Sequence, residues 1–304
     1  MRAGFAKINP KSQSSMESVS LNIDGIERRY YFATSSRKPA VPLPLLVMLH
    51  GTGGSGLFAA DETHLPAFAE AVGFAVAFPD ALPPDRSRSP AFLSNPQRWN
   101  DGSSRRGSLP HTEWDDTAFL TATILDALER GPCDRQRVYL TGFSNGAGMA
   151  FRFAAERSDL LAAVAPVAGY CPREFPAPIQ PVPTLFIIGD ADPLVPLAGG
   201  LVEVPWRKEL VQRRSVDEML TPWATALGCE PESVLLSEEH GVREEVYPPI
   251  GSMKSEFRRI TVAGLGHHWP SGRGQLNPRI GGQPSNLLSA NDRIWEFVQR
   301  HHLA

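Results

Sequence analysis

Short apolar runs alternate along the chain with stretches in which apolar residues return every three or four positions. Pro44–Leu49 (PLLVML) is continuously apolar, as a strand covered on both faces of a parallel sheet must be. Phe74–Phe78, Arg137–Thr141, Leu161–Val167 and Thr184–Ile188 carry the same signature, and Glu244–Tyr247 and Phe257–Val262 add two further strands. Val19–Ile23 and Arg28–Ala33 flank Asp24-Gly25, a hairpin signal. Helical periodicity covers Leu57–Val72, Glu113–Arg130, Ala147–Ala155, Ser215–Leu227 and Leu287–His302. Ser215 with Glu218 reads as a capping box, and Ile294, Trp295, Phe297 and Val298 form the stripe of the last helix. Strand and helix alternate with no internal repeat. The pattern predicts an α/β chain with one doubly wound, mostly parallel sheet and helices on both faces.

Residues 1–15 are polar and expected to be disordered, leaving 16–304 as a single domain. The chain's 28 prolines form clusters such as Pro39–Pro44, Pro79–Pro96 and Pro172–Pro183, which indicate long irregular loops; loop insertions are expected near 81–113 and 194–214, and loops of that length are commonly functional. A hydrophobic fraction of 42% with 21% charged residues describes a globular chain. The formal charge of -3 and the lack of a basic run give no footprint for nucleic acid. No apolar run has the length of a membrane span, and none precedes Met16 as a signal segment would. The default expectation is a cytoplasmic protein, or a secreted one if a leader has been removed; oligomeric state is not written in the sequence. Cys133, Cys171 and Cys229 are widely spaced without metal-ligand spacing and are expected as buried thiols, with one disulfide and one free thiol as the alternative.

Gly142-Phe143-Ser144-Asn145-Gly146 joins a β-prone run to a helical one. That is the context of a nucleophile elbow, in which glycines let a serine stand exposed at a sharp bend. Such a serine needs an acid and an imidazole later in the chain. The acid candidates are Asp190 and Asp192, in the turn after Thr184–Ile188; Asp192 is favoured because the later position can project over the sheet. The imidazole is expected from Gly264-Leu265-Gly266-His267-His268-Trp269-Pro270, a glycine-rich loop directly after a strand. Oxyanion donors are expected from the amide of Asn145 and, in the loop His50-Gly51-Thr52-Gly53-Gly54, that of Thr52. This loop lacks the spacing of a phosphate or dinucleotide cradle.

Together with Trp99-Asn100-Asp101-Gly102, these motifs resemble the polyhydroxybutyrate depolymerase and feruloyl esterase group of the α/β hydrolases, from about Leu21 to the final helix. The resemblance implies an α/β-hydrolase fold and a single catalytic domain. It implies Ser144 as nucleophile, Asp192 as acid and His267 as base, acting on small-molecule or oligomeric esters through an acyl-enzyme. Two departures are visible: the group's Gly-His-x-Trp-Pro loop has His268 at x, and Asp190 adds a carboxylate before Asp192. No cofactor or metal is called for. Trp99, Trp206, His268 and Trp269 are candidates for the substrate-binding wall, with core packing as the competing role for the tryptophans. A peptidase or thioesterase on the same scaffold, or a non-catalytic binding protein, are the alternatives.

Overall fold

A computed structural model of the chain describes residues 16–34, 40–102, 114–204, 209–251 and 255–303. The segment 1–15 and Trp206 lie outside the described residues. The chain opens with a hairpin of β1 (Glu17–Ile23) and β2 (Ile26–Ala33). Its turn residues Asp24 and Gly25 both have positive φ, as a two-residue type I′ turn demands. β3 (Leu43–Leu49) is buried throughout; Leu45, Val47 and Leu49 enter one core and Leu46 and Met48 the other. That two-residue alternation is what a strand sandwiched between helical layers produces.

α1 (Gly56–Thr63) and α2 (Leu65–Val72) stand where the periodicity predicts one helix over 57–72. Pro66 has no N–H to continue the ladder, its ring would meet the carbonyl of Glu62, and His64 turns the chain at φ 56°. There follow β4 (Ala75–Pro79), α3 (Asp116–Arg130), β5 (Cys133–Phe143), α4 (Asn145–Glu156), β6 (Ala163–Val167) and β7 (Thr184–Gly189). The insertion near 194–214, expected as a loop, contains a separate hairpin, β8 (Gly200–Val204) with β9 (Glu209–Arg213). α5 (Val216–Ala226) carries the expected Ser215–Glu218 capping box. The chain ends with β10 (Val234–Glu239), β11 (Val242–Tyr247), β12 (Phe257–Val262), the short α6 (Pro278–Gly281) and α7 (Ala290–Val298).

Ten strands form one sheet in the order β1-β2-β4-β3-β5-β6-β7-β12-β11-β10. From β4 through β12 every neighbouring pair is parallel; the strands at both edges are antiparallel. Residues of α3, α4 and α5 fill the core on one face, and residues of α1, α2 and α7 fill the other. The loops after β3, β5, β7 and β12 therefore leave the sheet at the same end, the end at which open parallel sheets collect functional groups. All three cysteines are free thiols, with Cys171 and Cys229 buried and Cys133 half-buried.

Candidate active site

Ser144 sits between β5 and α4 with φ 56° and ψ -116°, a sparsely populated conformation for a residue with a side chain. Its N–H donates to the Val167 carbonyl of neighbouring β6 at 2.9 Å, which pins the bend to the sheet. The flanking glycines are required by close approach. A Cβ at Gly142 would run into the Gly146 carbonyl, and one at Gly146 would lie 2.6 Å from the His50 carbonyl oxygen. Gly169, which no sequence motif singles out, is equally constrained: its Cβ would meet the Ser144 carbonyl and lie 2.6 Å from Ala147 Cβ.

Parallel pairing brings the acid and the imidazole together. β7 and β12 run in register up to Gly189 opposite Val262. Beyond that point the Ala191 N–H donates to the Leu265 carbonyl, and the Gly264 N–H to Asp190 Oδ1 at 2.7 Å. Asp190 thus closes the turn, and Asp192 projects over the strand ends. Its Oδ1 accepts from the N–H groups of Leu194 and Val195, both at 2.8 Å, while its Oδ2 lies 2.8 Å from His267 Nδ1. His267 Nε2 lies 2.8 Å from Ser144 Oγ, and the imidazole rests against the Phe143 ring at 4.8 Å between centroids. Asp192 and His267 are both buried. With two amides and the imidazole around one carboxylate, the fixed arrangement is Nδ1–H donating to Asp192, leaving the Nε2 lone pair to face the serine hydroxyl.

The loop after β3 is held from below. His50 is buried, its Nδ1–H donates to the Gly51 carbonyl at 2.7 Å, and its Nε2 accepts from the Ala81 N–H at 3.0 Å. Burial lowers its pKa to about 4, so the ring is neutral at physiological pH. Gly53 N–H is spent on the Gln97 carbonyl and Gly54 N–H on that of Gly51, whereas Thr52 lines the cleft beside Ser144. Asn145 is the first residue of α4, so its amide has no acceptor within the helix. Its side chain works elsewhere, accepting from Trp99 N–H at 2.7 Å and donating to the Trp99 carbonyl and to Asp101 Oδ2, at 3.1 and 2.7 Å.

These groups open into a cleft of about 410 Å³. Phe92 and Leu93 from the first insertion and Leu194, Val195 and Arg213 from the second line it, as the long loops suggested. Three of the expected wall residues are elsewhere. Trp99 is fully buried and donates its indole N–H to the His50 carbonyl; Trp269 is buried with its indole N–H on Asn291 Oδ1; His268 is buried with Nε2 at 3.0 Å from the Gly282 carbonyl. Each of these ring atoms is satisfied by the scaffold, so these side chains brace the loops and do not face a ligand. Phe58, Leu276 and Ile280 line the wall without any motif to mark them in the sequence. The last two belong to a segment whose Gly274 and Gln275 amides are clamped by the buried Glu62 carboxylate, at 2.8 and 3.1 Å.

Comparison with known proteins fits this geometry. The profile of the family described as esterase PHB depolymerase matches residues 32–196. A relative from Nocardia uniformis subsp. tsuyamanensis, named "Putative esterase NocK", is 30% identical over 91% of this chain and 80% of its own length. Feruloyl esterase B of Piromyces equi is 30% identical over 45% of this chain, and the match spans only 25% of that protein. Among solved structures, an acetyl xylan esterase from Aspergillus awamori superposes with a TM-score of 0.61 at 14% identity, over 94% of this chain and 99% of that one, a likeness of fold. No helix among the described residues is long and apolar enough to cross a membrane. The family profile spans more than half of the chain and the Nocardia relative nine-tenths of it, so the chain belongs to the esterase PHB depolymerase family and is a carboxylic ester hydrolase on an α/β-hydrolase fold.

Proposed function

We propose that residues 16–304 form one catalytic domain that hydrolyses esters through a covalent acyl-serine. The observation that carries this reading is the unbroken chain Asp192 Oδ2, His267 Nδ1, His267 Nε2, Ser144 Oγ, with both links at 2.8 Å. A serine hydroxyl is a weak nucleophile at neutral pH, and an aligned imidazole supplies the missing basicity. As Oγ attacks the ester carbonyl, its proton passes to His267 Nε2, and Asp192 stabilises the imidazolium that forms. The negative charge developing on the carbonyl oxygen is met by the N–H groups of Asn145 and Thr52. The tetrahedral intermediate expels the alcohol, which takes the proton from His267. Water then repeats the sequence on the acyl-enzyme, giving the acid and free Ser144. Net, one ester and one water become one acid and one alcohol.

An apolar cleft open to solvent suits short acyl and aryl esters; the names of the relatives point to hydroxycinnamate, acetyl and hydroxyalkanoate esters as the classes to assay first. The test joins a substrate panel to active-site labelling. p-Nitrophenyl butyrate, methyl ferulate, a hydroxybutyrate oligomer, an acyl-CoA and a peptide anilide are compared. A fluorophosphonate is expected to modify Ser144, located by peptide mass spectrometry, and the Ser144→Ala protein is expected to resist it. Cleavage of the anilide or the thioester without ester turnover refutes the ester reading, and labelling at another serine refutes the site.

A further inference from the structure

Helix α1 and the chain that follows the His267 loop meet at one carboxylate. Glu62, buried on the last turn of α1, accepts the consecutive amides of Gly274 and Gln275 on Oε1 and Oε2, at 2.8 and 3.1 Å. Its own carbonyl accepts the Arg273 N–H at 3.0 Å. The approach is close: a Cβ at Gly272 would lie 2.9 Å from the Glu62 carbonyl oxygen and 3.0 Å from Oε1. Asp61 adds an outer clasp, pairing with Arg273 at 3.0 Å and accepting from Gln275 Nε2 at 2.8 Å. The far end of the same segment is tied to the loop that bears the imidazole. The Gly281 carbonyl accepts the His267 N–H at 2.5 Å, and the Gln283 carbonyl accepts that of Gly266 at 2.7 Å. Between these two ties lie Leu276 and Ile280, which line the cleft, as does Phe58 from the same helix as Glu62.

We infer that Glu62 is a positioning residue for ester selectivity: it holds the strap 274–283 so that Leu276 and Ile280 form the wall that receives the alcohol arm. The inference rests on the esterase reading of Ser144 and deepens it. In that reading the alcohol leaves by taking a proton from His267 Nε2, so its arm lies on the imidazole's side of the reacting carbonyl. The strap is bonded to the backbone of His267 itself, which puts its apolar residues on that side. A carboxylate suits the task because both of its oxygens accept, and bonds to an ionised acceptor are about twice as strong as neutral ones. An amide at position 62 offers one acceptor, and its NH₂ group would meet the second backbone N–H donor to donor.

The experiment follows acid release from methyl butyrate, 2-phenylethyl butyrate and methyl 4-phenylbutyrate in a pH-stat. The first two differ only in the alcohol arm, the first and third only in the acyl arm. The readout is the ratio of kcat/KM for 2-phenylethyl butyrate over methyl butyrate in the unmodified protein, Glu62→Ala and Glu62→Gln. That ratio is expected to fall about tenfold in Glu62→Ala and by a smaller factor in Glu62→Gln, chiefly through KM, whereas methyl 4-phenylbutyrate follows methyl butyrate. If Glu62→Ala does not fold, Glu62→Gln, which keeps the side-chain volume and one acceptor, carries the test. In a Leu276→Ala background the further effect of Glu62→Gln on the ratio should shrink to less than about twofold, because the wall it positions has been cut back. Glu239→Gln, on the exposed strand β10, changes net charge equally and is expected to keep the ratio. If Glu62→Gln slows all three esters by the same factor, the carboxylate only supports the fold and the inference is overturned. An unchanged ratio, or a loss confined to methyl 4-phenylbutyrate, overturns it as well. Absence of turnover on all three esters in the unmodified protein would instead sink the esterase reading, and this inference with it.

Discussion

Replacing Ser144 by glycine and by alanine separates chemistry from strain at the bend. Both substitutions delete the hydroxyl and its 2.8 Å contact with His267 Nε2, so both are expected to be inactive and both lose the same hydrogen bond. They differ in the backbone. With φ 56° and ψ -116°, residue 144 lies outside the small left-handed basin, and a conformation of this kind costs about 1–3 kcal/mol for a residue with a Cβ. Alanine keeps that cost and glycine removes it. Glycine also gives the unfolded chain more freedom, which offsets about 0.5–1 kcal/mol of the gain. From the middle of each range, Ser144→Gly should be more stable than Ser144→Ala by about 1 kcal/mol, equivalent to roughly 2 °C in Tm for a chain of this size. Thermal and urea unfolding of the two proteins, followed by circular dichroism, measure the difference. An alanine variant as stable as the glycine variant, or more so, would show that the elbow stores no strain at its crest.

Three further outcomes test the roles of individual groups. Asp192→Asn should lower kcat by about 10³- to 10⁴-fold while leaving Tm almost unchanged: its carbonyl oxygen still accepts the Leu194 and Val195 amides, but its NH₂ group then faces Nδ1 and favours the tautomer whose proton points at Ser144. Wild-type-like turnover in that variant would refute the assigned arrangement. Asn145→Ala keeps the backbone N–H offered to the oxyanion but strips three bonds from Trp99 and Asp101, so a loss of roughly 2–3 kcal/mol in stability with less than a tenfold change in kcat is expected; a large fall in kcat with unchanged stability would contradict it. For His50, burial lowers the folded pKa to about 4 from an ordinary 6.5, so between those values only the unfolded state takes up the proton. Stability should therefore fall as pH drops from about 6.5 to 4, with His50 contributing roughly 3 kcal/mol of the decline. His50→Gln, which can keep one donor and one acceptor, should flatten that part of the urea-unfolding profile, and parallel profiles would refute the assignment.

What the sequence made legible was the placement of groups that depends on local turns. Ser144 needed only its flanking glycines and the strand and helix on either side, and Asp192 and the His267-His268 pair each followed an apolar strand. The residues that were misassigned or overlooked depend on contacts made across the fold. Trp99 and Trp269 look alike as aromatic residues in Gly- and Pro-rich loops, and only the carbonyl of His50 and the side chain of Asn291, distant in sequence, reveal that both indoles are satisfied inside. Gly169 carries no turn signature of its own; its constraint comes from the Ser144 carbonyl that passes above it. β10 escapes a pattern search because it is an edge strand with every residue exposed, so no alternation of apolar and polar positions marks it. The β8–β9 hairpin is hidden for a related reason, since Leu201 and Leu210 are largely exposed while Val202 is buried.

The geometry of the site is written in the strands more than in the loops that bear Ser144, Asp192 and His267. Ser144 and His267 are 123 residues apart, and Asp192 and His267 are 75, yet both contacts close to 2.8 Å. That closure depends on the register of β12 against β7. A strand advances about 3.3 Å per residue, so the smallest slip that preserves the facing of side chains, two residues, would carry the His267 loop by about 6.6 Å and break both contacts. A slip of one residue would turn Phe257 out of the core it shares with Phe186 and Trp223, and Ile260 and Val262 out of the opposite core with Ile294 and Phe297. Burying those side chains fixes the register, and the register fixes Asp192 and His267 relative to Ser144. It follows that polar substitutions at Ile260 or Val262, although neither side chain touches the triad, should lower kcat together with stability, whereas changes at the exposed residues of β10 should alter neither.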